Sequence, residues 1–332
     1  MLENNLSIGK ARGLAATATP SGVFTILAFD HRQSFVKMLN PNAPQAVTYS
    51  EVVAAKAAVV RLLAPHASAV LLDPVFGAAQ AIASGALPGQ TGLLVAVEET
   101  GYTGSDLARV SSLLPDWSVA KAKRMGADAV KFLVYYHPYA GELTAIQEDL
   151  IAAVIQSCRE ADLTFFLEPI SYSIDPGLAK NSAGFAAQLP GLMVEFARRL
   201  GALGPDVLKL EFPAIAAFDS DEASWERSCQ AVSAASPCPW AVLSAGVDID
   251  VFTRQVEVAC RSGASGYIAG RSLWKEGIPL PPADRENFMR TVAAGRLDRL
   301  AEIASRFARP WQDFFPGLAN AIQEGWYQSY QG

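Results

Sequence analysis

The sequence predicts an α/β protein with one (β/α)8 TIM barrel as its single domain, and two observations support that prediction. Eight short strand-like runs recur in 332 residues, and segments with helical periodicity separate most of them, which is typical of this barrel. The polar residues of the runs also gather near their carboxyl ends, where such barrels place their active sites. A doubly wound open sheet is the competing layout, but no GxGxxG motif follows the first run and no low-complexity linker divides the chain.

Each predicted element is defined by its hydrophobic period and by the turn residues that flank it. The strand-like runs cover residues 23–30, 69–73, 93–98, 128–135, 164–168, 206–212, 240–244 and 265–270. Helical patterns cover residues 47–63, 117–125, 142–161, 190–200 and 251–261, with Pro190 expected in a first helical turn. Residues 3–20 predict a helical lead-in, and residues 283–309 predict a long terminal helix before an aromatic-rich packed tail. We therefore expect one domain over residues 1–332 with a C-terminal helical extension.

The sixth run, VLKLEFP at residues 207–213, alternates between two kinds of side chain. Leu208, Leu210 and Phe212 share an apolar face, whereas Lys209 and Glu211 share the opposite face. In a barrel, the apolar face would pack on the outer helices and the charged face would point inward. A lysine in that interior needs either a paired charge or the loss of its proton, and an unprotonated lysine is a nucleophile. A structural bridge from Lys209 to Glu211 and a catalytic lysine both fit this run alone.

Four ionisable residues near strand ends are predicted to converge in one pocket. They are Asp30 after the first run, Lys131 in the fourth, Glu168 in the fifth and Lys209 in the sixth. A single strand-end carboxylate is usually a turn or cap residue. Two lysines and two carboxylates that face inward together are hard to explain as structure, because their burial would cost several kcal/mol. We therefore interpret the four as catalytic residues.

The loops after the last two runs are predicted to bind an anion. This fold commonly binds phosphate there, through backbone N–H groups and small side chains. The candidate residues are Ser244, Ala245, Gly246, Ala269, Gly270 and Arg271. The Arg271 guanidinium is suited to a bidentate contact with a phosphate. The alternative is an ordinary tight turn beside a surface arginine.

Composition narrows the classes of function. The net charge of −6 argues against general binding to nucleic acid or to an anionic membrane, although local groups still bind a small anion. No stretch reaches the roughly 18 apolar residues of a membrane span, and the first residues lack the apolar run of a signal peptide. The four cysteines and three histidines show no metal-site spacing, so we expect free thiols in a reducing cytoplasm and neither metal nor cofactor.

Eight segments, which cover the eight predicted strands, together match a known family. They are LAFDHR, ASAVLLDPVFG, EETGY, ADAVKFLVYY, FFLEPISY, DVLKLEFP, VLSAGV and GASGYIAGRSLW. Their combination resembles class I tagatose-1,6-bisphosphate aldolases and, more distantly, sulfofructosephosphate aldolases. The resemblance implies a metal-independent lyase that forms a Schiff base. It would cleave a ketose 1,6-bisphosphate into dihydroxyacetone phosphate and glyceraldehyde 3-phosphate.

The resemblance also implies roles for individual residues. Lys209 would form the Schiff base and Glu168 would transfer protons, while Asp30 and Lys131 would handle the proton and charge of the substrate's C4 hydroxyl. The Ser244 loop and Gly270–Arg271 would hold the phosphate next to the ketone. The expected partner is a small sugar phosphate, bound by a homo-oligomer that associates with neither nucleic acid nor a membrane.

Two positions depart from the family pattern: His31 stands where glutamine is usual, and Glu99 stands where lysine is frequent. We expect His31 and Arg32, with the long loop in residues 170–185, to contact the far end of the substrate. A sulfofructose 1-phosphate, which would yield dihydroxyacetone phosphate and sulfolactaldehyde, is therefore the alternative substrate. A sugar-phosphate sensor on the same scaffold is the alternative class of protein, although binding alone does not need Lys209.

Overall fold

A computed structural model describes residues 6–318, 322–328 and 330 of the chain. The strands, numbered in chain order, are β1 (Phe24–Phe29), β2 (Ala69–Leu72), β3 (Gly92–Ala96), β4 (Thr103–Ser105), β5 (Ala108–Val110), β6 (Ala129–Tyr136), β7 (Thr164–Ser171), β8 (Val207–Leu210), β9 (Trp240–Leu243) and β10 (Gly266–Ala269). Eight of them are parallel and close into a barrel in the order β1-β10-β9-β8-β7-β6-β3-β2, whereas β4 and β5 form an antiparallel hairpin. The predicted (β/α)8 barrel is confirmed, and β4–β5 is an addition that the sequence pattern did not predict.

Helices surround this barrel. They are α1 (Ile8–Thr17), α2 (Gln33–Leu39), α3 (Tyr49–Leu63), α4 (Ala78–Ala83), α5 (Val119–Met125), α6 (Glu142–Glu160), α7 (Ala183–Gly201), α8 (Glu222–Ala235), α9 (Ile249–Arg261), α10 (Arg271–Trp274), α11 (Pro282–Phe288) and α12 (Ala294–Phe307). A π-helical turn, Met289–Ala293, joins α11 to α12, so the predicted terminal helix is nearly continuous. Part of the predicted C-terminal tail lies outside the described residues. Within the described residues, no helix is long and apolar enough to cross a membrane.

Helix α7 begins earlier than the sequence pattern predicted. Its N-cap is Ser182, whose side chain accepts a hydrogen bond from the backbone N–H of Phe185. Pro190 therefore lies inside the helix and not in its first turn, and that expectation was wrong. Strand β7 also extends to Ser171, so the loop between β7 and α7 is confined to residues 172–182.

An apolar layer fills the barrel, and α1 closes its amino-terminal end. Leu14 of α1 belongs to the interior cluster together with Phe24 and Phe166, whose rings meet edge to face at 5.5 Å. Lys10 Nζ lies 2.8 Å from Asp206 Oδ2, which ties α1 to the start of β8. The amino-terminal end is thus sealed, and the open cavity lies at the carboxyl end of the strands.

Strand β8 divides its side chains between two apolar layers, as its alternation predicts. Leu208, Leu210 and Phe212 pack in the outer layer between the barrel and its helices. Val207 packs in the interior cluster, and Lys209 follows on the same inward face. Both faces are buried, as is usual for parallel strands covered by helices.

The junction of β1 and β10 closes the barrel and requires a glycine. Gly266 begins β10 with a φ of +132°, and a Cβ at this position would lie 2.0 Å from the carbonyl oxygen of Phe24. Any larger residue would push the first strand away from the last.

Candidate active site

A buried cluster of charges occupies the carboxyl end of the barrel. Lys131 on β6 is fully buried, and its Nζ lies 2.7 Å from Asp30 Oδ2, 2.5 Å from Glu98 Oε1 and 3.1 Å from Glu168 Oε2. Asp30 directly follows β1, Glu98 lies two positions beyond the end of β3, and Glu168 lies on β7. The strand ends therefore bring three carboxylates around one ammonium group.

These contacts fix the charge of Lys131. Burial alone would lower its pKa, but the charges of Asp30, Glu168 and Glu98 outweigh burial and raise the pKa well above the ordinary lysine value. Burial would likewise raise the pKa of Asp30, yet the charges of Lys131 and Lys209 hold it well below its usual range. Lys131 is thus a permanent ammonium ion, which makes it an electrostatic group and a poor nucleophile.

Lys209 differs from Lys131 in its access to substrate. Its Nζ lies 2.8 Å from Glu168 Oε1, and the residue lines a cavity of about 540 Å³ at the carboxyl end of the barrel. Glu168 lies between the two lysines, and its Oε2 has no hydrogen bond among the described residues, although it is close to Lys131. The geometry places one carboxylate between the lysine that lines the cavity and the Lys131 ammonium group, which is suited to moving a proton.

The predicted anion loops meet at the rim of the same cavity. Ser244 Oγ accepts a hydrogen bond of 3.2 Å from the N–H of Gly270, which joins the loop after β9 to the loop after β10. Ala245 and Gly246 have φ values of 48° and 79°, a left-handed pair that turns the backbone sharply. The Arg271 guanidinium lies over this turn, with Nη2 3.4 Å from Ala245 O. Ala269, at the end of β10, is fully buried beneath it.

His31 lies at the Arg271 end of the cavity. Its ring meets Trp274 edge to face at 5.0 Å, and a Cβ on Gly270 would lie 3.1 Å from His31 Cε1. The His31 ring thus packs against Trp274 of α10 beside the anion loops, and its contact with the far end of the substrate stays a prediction. Burial, together with the charge of Arg271, lowers the pKa of His31 to about 3 even though Asp30 opposes this.

Substitution of His31 should change the acid stability of the protein. Its folded-state pKa of about 3 lies below the unfolded value of about 6.5, so its stabilising contribution is present above pH 6.5 and declines as pH falls toward 3. His31→Gln should flatten the fall of unfolding free energy between pH 6.5 and pH 4 by up to about 1.4 kcal/mol per pH unit. Urea unfolding at several pH values measures this, and His66→Gln at a partly exposed site is the control. An unchanged slope in His31→Gln would contradict a neutral, largely enclosed ring.

The guanidinium of Arg32 is largely occupied by contacts within the protein. It is buried, its Nη2 donates to the carbonyl oxygen of Glu98 at 2.5 Å, and its Nη1 lies 3.9 Å from Glu99 Oε1. It also lines the cavity, so a contact with substrate stays a prediction. Glu99, the second departure from the family pattern, is thus close to a cation that it partly neutralises.

Two residues of the site were not predicted as members. Glu98 was visible as a strand-end carboxylate, but nothing in the sequence indicated that it would bind Lys131. Lys180 lies in the loop between β7 and α7, and its Nζ lies 2.7 Å from Glu211 Oε1 and 2.7 Å from Ser171 O. Glu211 is therefore paired with Lys180, and the alternative of a bridge to Lys209 is wrong.

The barrel and its two buried lysines define the class of protein. A (β/α)8 enzyme that has a cavity-lining lysine beside a carboxylate able to transfer protons has the arrangement of a lyase acting on carbonyl compounds. Residues 24–276 match the model of the DeoC/LacD family aldolases. The chain belongs to this family and is an aldolase.

Relatives and solved structures agree with this family. The chain is 33% identical over 313 residues to tagatose 1,6-diphosphate aldolase 1 of Streptococcus pyogenes, covering 88% of this chain and 94% of the relative. It is 31% identical over 331 residues to tagatose 1,6-diphosphate aldolase 2 of Enterococcus faecalis, covering 92% and 96%. The resemblance to tagatose-bisphosphate aldolases is confirmed.

Structural neighbours support the fold. An archaeal fructose 1,6-bisphosphate aldolase superimposes with a TM-score of 0.58 at 19% identity, covering 88% of this chain and 97% of the neighbour. A fructose-bisphosphate aldolase from Slackia heliotrinireducens gives 0.62 at 14% identity, covering 97% and 94%.

Proposed function

We propose that the protein is a class I aldolase that cleaves a ketose 1,6-bisphosphate, such as tagatose-1,6-bisphosphate, into dihydroxyacetone phosphate and glyceraldehyde 3-phosphate. One observation carries the proposal: the site holds two lysines of opposite character. Lys131 is enclosed by three carboxylates, whereas Lys209 lines the cavity and contacts only Glu168 among the described carboxylates. The similarity of the chain to two tagatose 1,6-diphosphate aldolases supports the choice of substrate.

The mechanism follows from this division. Lys209 gives its ammonium proton to Glu168, 2.8 Å away, and the neutral amine then attacks the ketone carbon. The carbonyl oxygen takes one proton from the attacking nitrogen and a second from Glu168, and leaves as water. The resulting iminium accepts the electron pair of the C3–C4 bond, so the bond breaks and an enamine remains. The C4 hydroxyl loses its proton in the same step; Asp30 is the base that would accept it, and the ammonium group of Lys131 would stabilise the developing negative charge. Protonation of the enamine and hydrolysis then release dihydroxyacetone phosphate.

A substrate panel tests the proposed function. Purified protein should release triose phosphate from tagatose-1,6-bisphosphate, detected by a coupled dehydrogenase assay. Sulfofructose 1-phosphate in the same assay tests the alternative sulfosugar substrate. Failure to cleave any ketose phosphate would contradict the proposal.

Removal of the Arg271 guanidinium should lower kcat/KM for every ketose 1-phosphate substrate. Arg271 lies over the turn at Ala245 and Gly246, so it would hold the phosphate next to the ketone. A charged hydrogen bond is worth about 1.5–3 kcal/mol, so Arg271→Ala should lower kcat/KM about ten- to a hundredfold. Steady-state kinetics measure this, with Arg290→Ala at an exposed pair remote from the loops as the control. Unchanged kcat/KM would place the phosphate elsewhere.

Activity should not depend on a metal ion. In the described part of the chain, no group of three or more His, Cys, Asp or Glu side chains is arranged to hold one. Dialysis against EDTA should leave kcat unchanged, and added zinc should not raise it. Activity that disappears in EDTA and returns with zinc would instead indicate a metal-dependent aldolase.

We also propose a homo-oligomer in a reducing cytoplasm, which binds its sugar phosphate but neither nucleic acid nor a membrane. The four cysteines are all buried free thiols, which fits a reducing compartment. Tyr49 and Val75 are large apolar residues that are exposed close together, which suits a contact with a second copy. Light scattering after size-exclusion chromatography measures the oligomeric state.

A further inference from the structure

We propose that Lys180 binds the tetrahedral oxyanion at the end of the substrate remote from the ketone, and so selects substrates that carry a second anion. The inference rests on the proposed function. It assigns a phosphate or sulfonate subsite to the loop between β7 and α7.

The position of Lys180 relative to Lys209 is the first argument. Its ammonium group bonds to Ser171 O and to Glu211 Oε1, each at 2.7 Å. Ser171 follows Glu168 by three positions along the chain of β7, and Glu211 follows Lys209 by two positions. A strand rises about 3.3 Å per residue, so Lys180 Nζ lies on the order of 7–10 Å from the Schiff-base level toward the cavity mouth. This is comparable to the reach of the carbon chain beyond the ketone.

Elimination among the cations gives the second argument. The described lysines and arginines that line the cavity are Arg32, Lys180, Lys209 and Arg271. Lys209 is the candidate nucleophile, and Arg271 lies with the anion loops. Arg32 is only 7% exposed and its Nη2 donates to the carbonyl oxygen of Glu98, so it presents little of its guanidinium to the cavity. The side chain of Lys180 is 35% exposed, so it is open to a ligand from the cavity.

The surroundings of Lys180 preorganise it for an anion. Glu211 is buried, and its Oε2 accepts bonds from Ser171 N at 2.7 Å and Ser171 Oγ at 2.5 Å, so the carboxylate is fixed in place. An ammonium group has three N–H donors, and the two recorded bonds leave a third for a ligand. Glu211 therefore holds Lys180 over the cavity while the loop of residues 172–182 stays attached to the barrel.

The test compares substrates that differ only at the far end. Fructose 1-phosphate, fructose 1,6-bisphosphate and sulfofructose 1-phosphate share one phosphate and carry a hydroxyl, a phosphate or a sulfonate at the other end. Lys180→Met should lower kcat/KM about ten- to a hundredfold for a substrate with the far-end anion, and leave fructose 1-phosphate nearly unchanged. Lys180→Arg should restore most of the loss. The substrate whose kcat/KM falls more in Lys180→Met identifies whether the natural far-end group is a phosphate or a sulfonate.

Arg271→Ala is the comparison variant, because it should lower kcat/KM for all three substrates by similar factors. Equal losses for all three in Lys180→Met would overturn the inference and show that the lysine only holds the loop. Calorimetric titration of wild type and Lys180→Met with fructose 1-phosphate and fructose 1,6-bisphosphate decides the question without turnover. An unchanged affinity ratio overturns the inference alone, whereas a wild type that binds these ligands normally but cleaves no ketose phosphate, tagatose-1,6-bisphosphate included, overturns the proposed function alone.

Discussion

Lys209→Met is expected to reduce turnover of every ketose phosphate to background, a loss of about a thousandfold or more. Methionine keeps the length and apolar stem of the lysine but has no nitrogen to form the imine. In the wild type, borohydride added with substrate should reduce that imine and attach the ketone fragment to Lys209. Peptide mass spectrometry locates the adduct, and the coupled triose assay measures turnover.

Lys121→Met is the control for Lys209→Met, because Lys121 is exposed and its ammonium group donates to the backbone carbonyl oxygen of Asp116, remote from the cavity. It should keep wild-type turnover and wild-type trapping at Lys209. An adduct on Lys131 would contradict the assignment, since the ammonium of that lysine is enclosed by carboxylates. Substantial turnover by Lys209→Met would contradict the Schiff-base mechanism itself.

The convergence of Asp30, Lys131, Glu168 and Lys209 follows from rules that the sequence contains. A barrel brings the carboxyl ends of its strands to one rim, so a residue near a strand end reaches the pocket whatever the lengths of the loops. The two-residue period of β8 places Lys209 opposite the apolar face. The fold and these positions were therefore predictable, while the catalytic roles stay predictions.

Pairings that depend on loop conformation were not predictable. Glu98 reaches Lys131 because the chain beyond the end of β3 continues alongside β6, with Val97 N donating to Lys131 O at 3.0 Å. His31 follows Asp30 directly, but its ring direction is set by Trp274, which is distant in the sequence. Ser182 was the one local signal that was overlooked, since an N-cap serine there predicts the early start of α7.

Lys131→Met is expected to destabilise the protein and to abolish most activity. The substitution leaves Asp30, Glu98 and Glu168 close together in a buried site without their shared cation. Removal of one partner from a buried ion pair costs about 3–5 kcal/mol, and mutual repulsion of the carboxylates adds to it. Urea unfolding at pH 7 measures the loss, and Arg290→Met at an exposed pair should change stability by less than about 1 kcal/mol.

The pH dependence of that loss separates electrostatics from packing. In the wild type, the lowered pKa of Asp30 gives a stability that is present above about pH 3.9 and is lost as pH falls further. The raised pKa of Lys131 gives a stability that is present below about pH 10.4 and is lost as pH rises further. Without Lys131, the crowded carboxylates should bind protons more readily when folded than when unfolded, so the variant should gain stability as pH falls from 8 to 5. The difference in unfolding free energy from wild type should therefore narrow over that range. A constant difference would mean that the substitution only disturbs packing, and that Lys131 does not hold the carboxylates ionised.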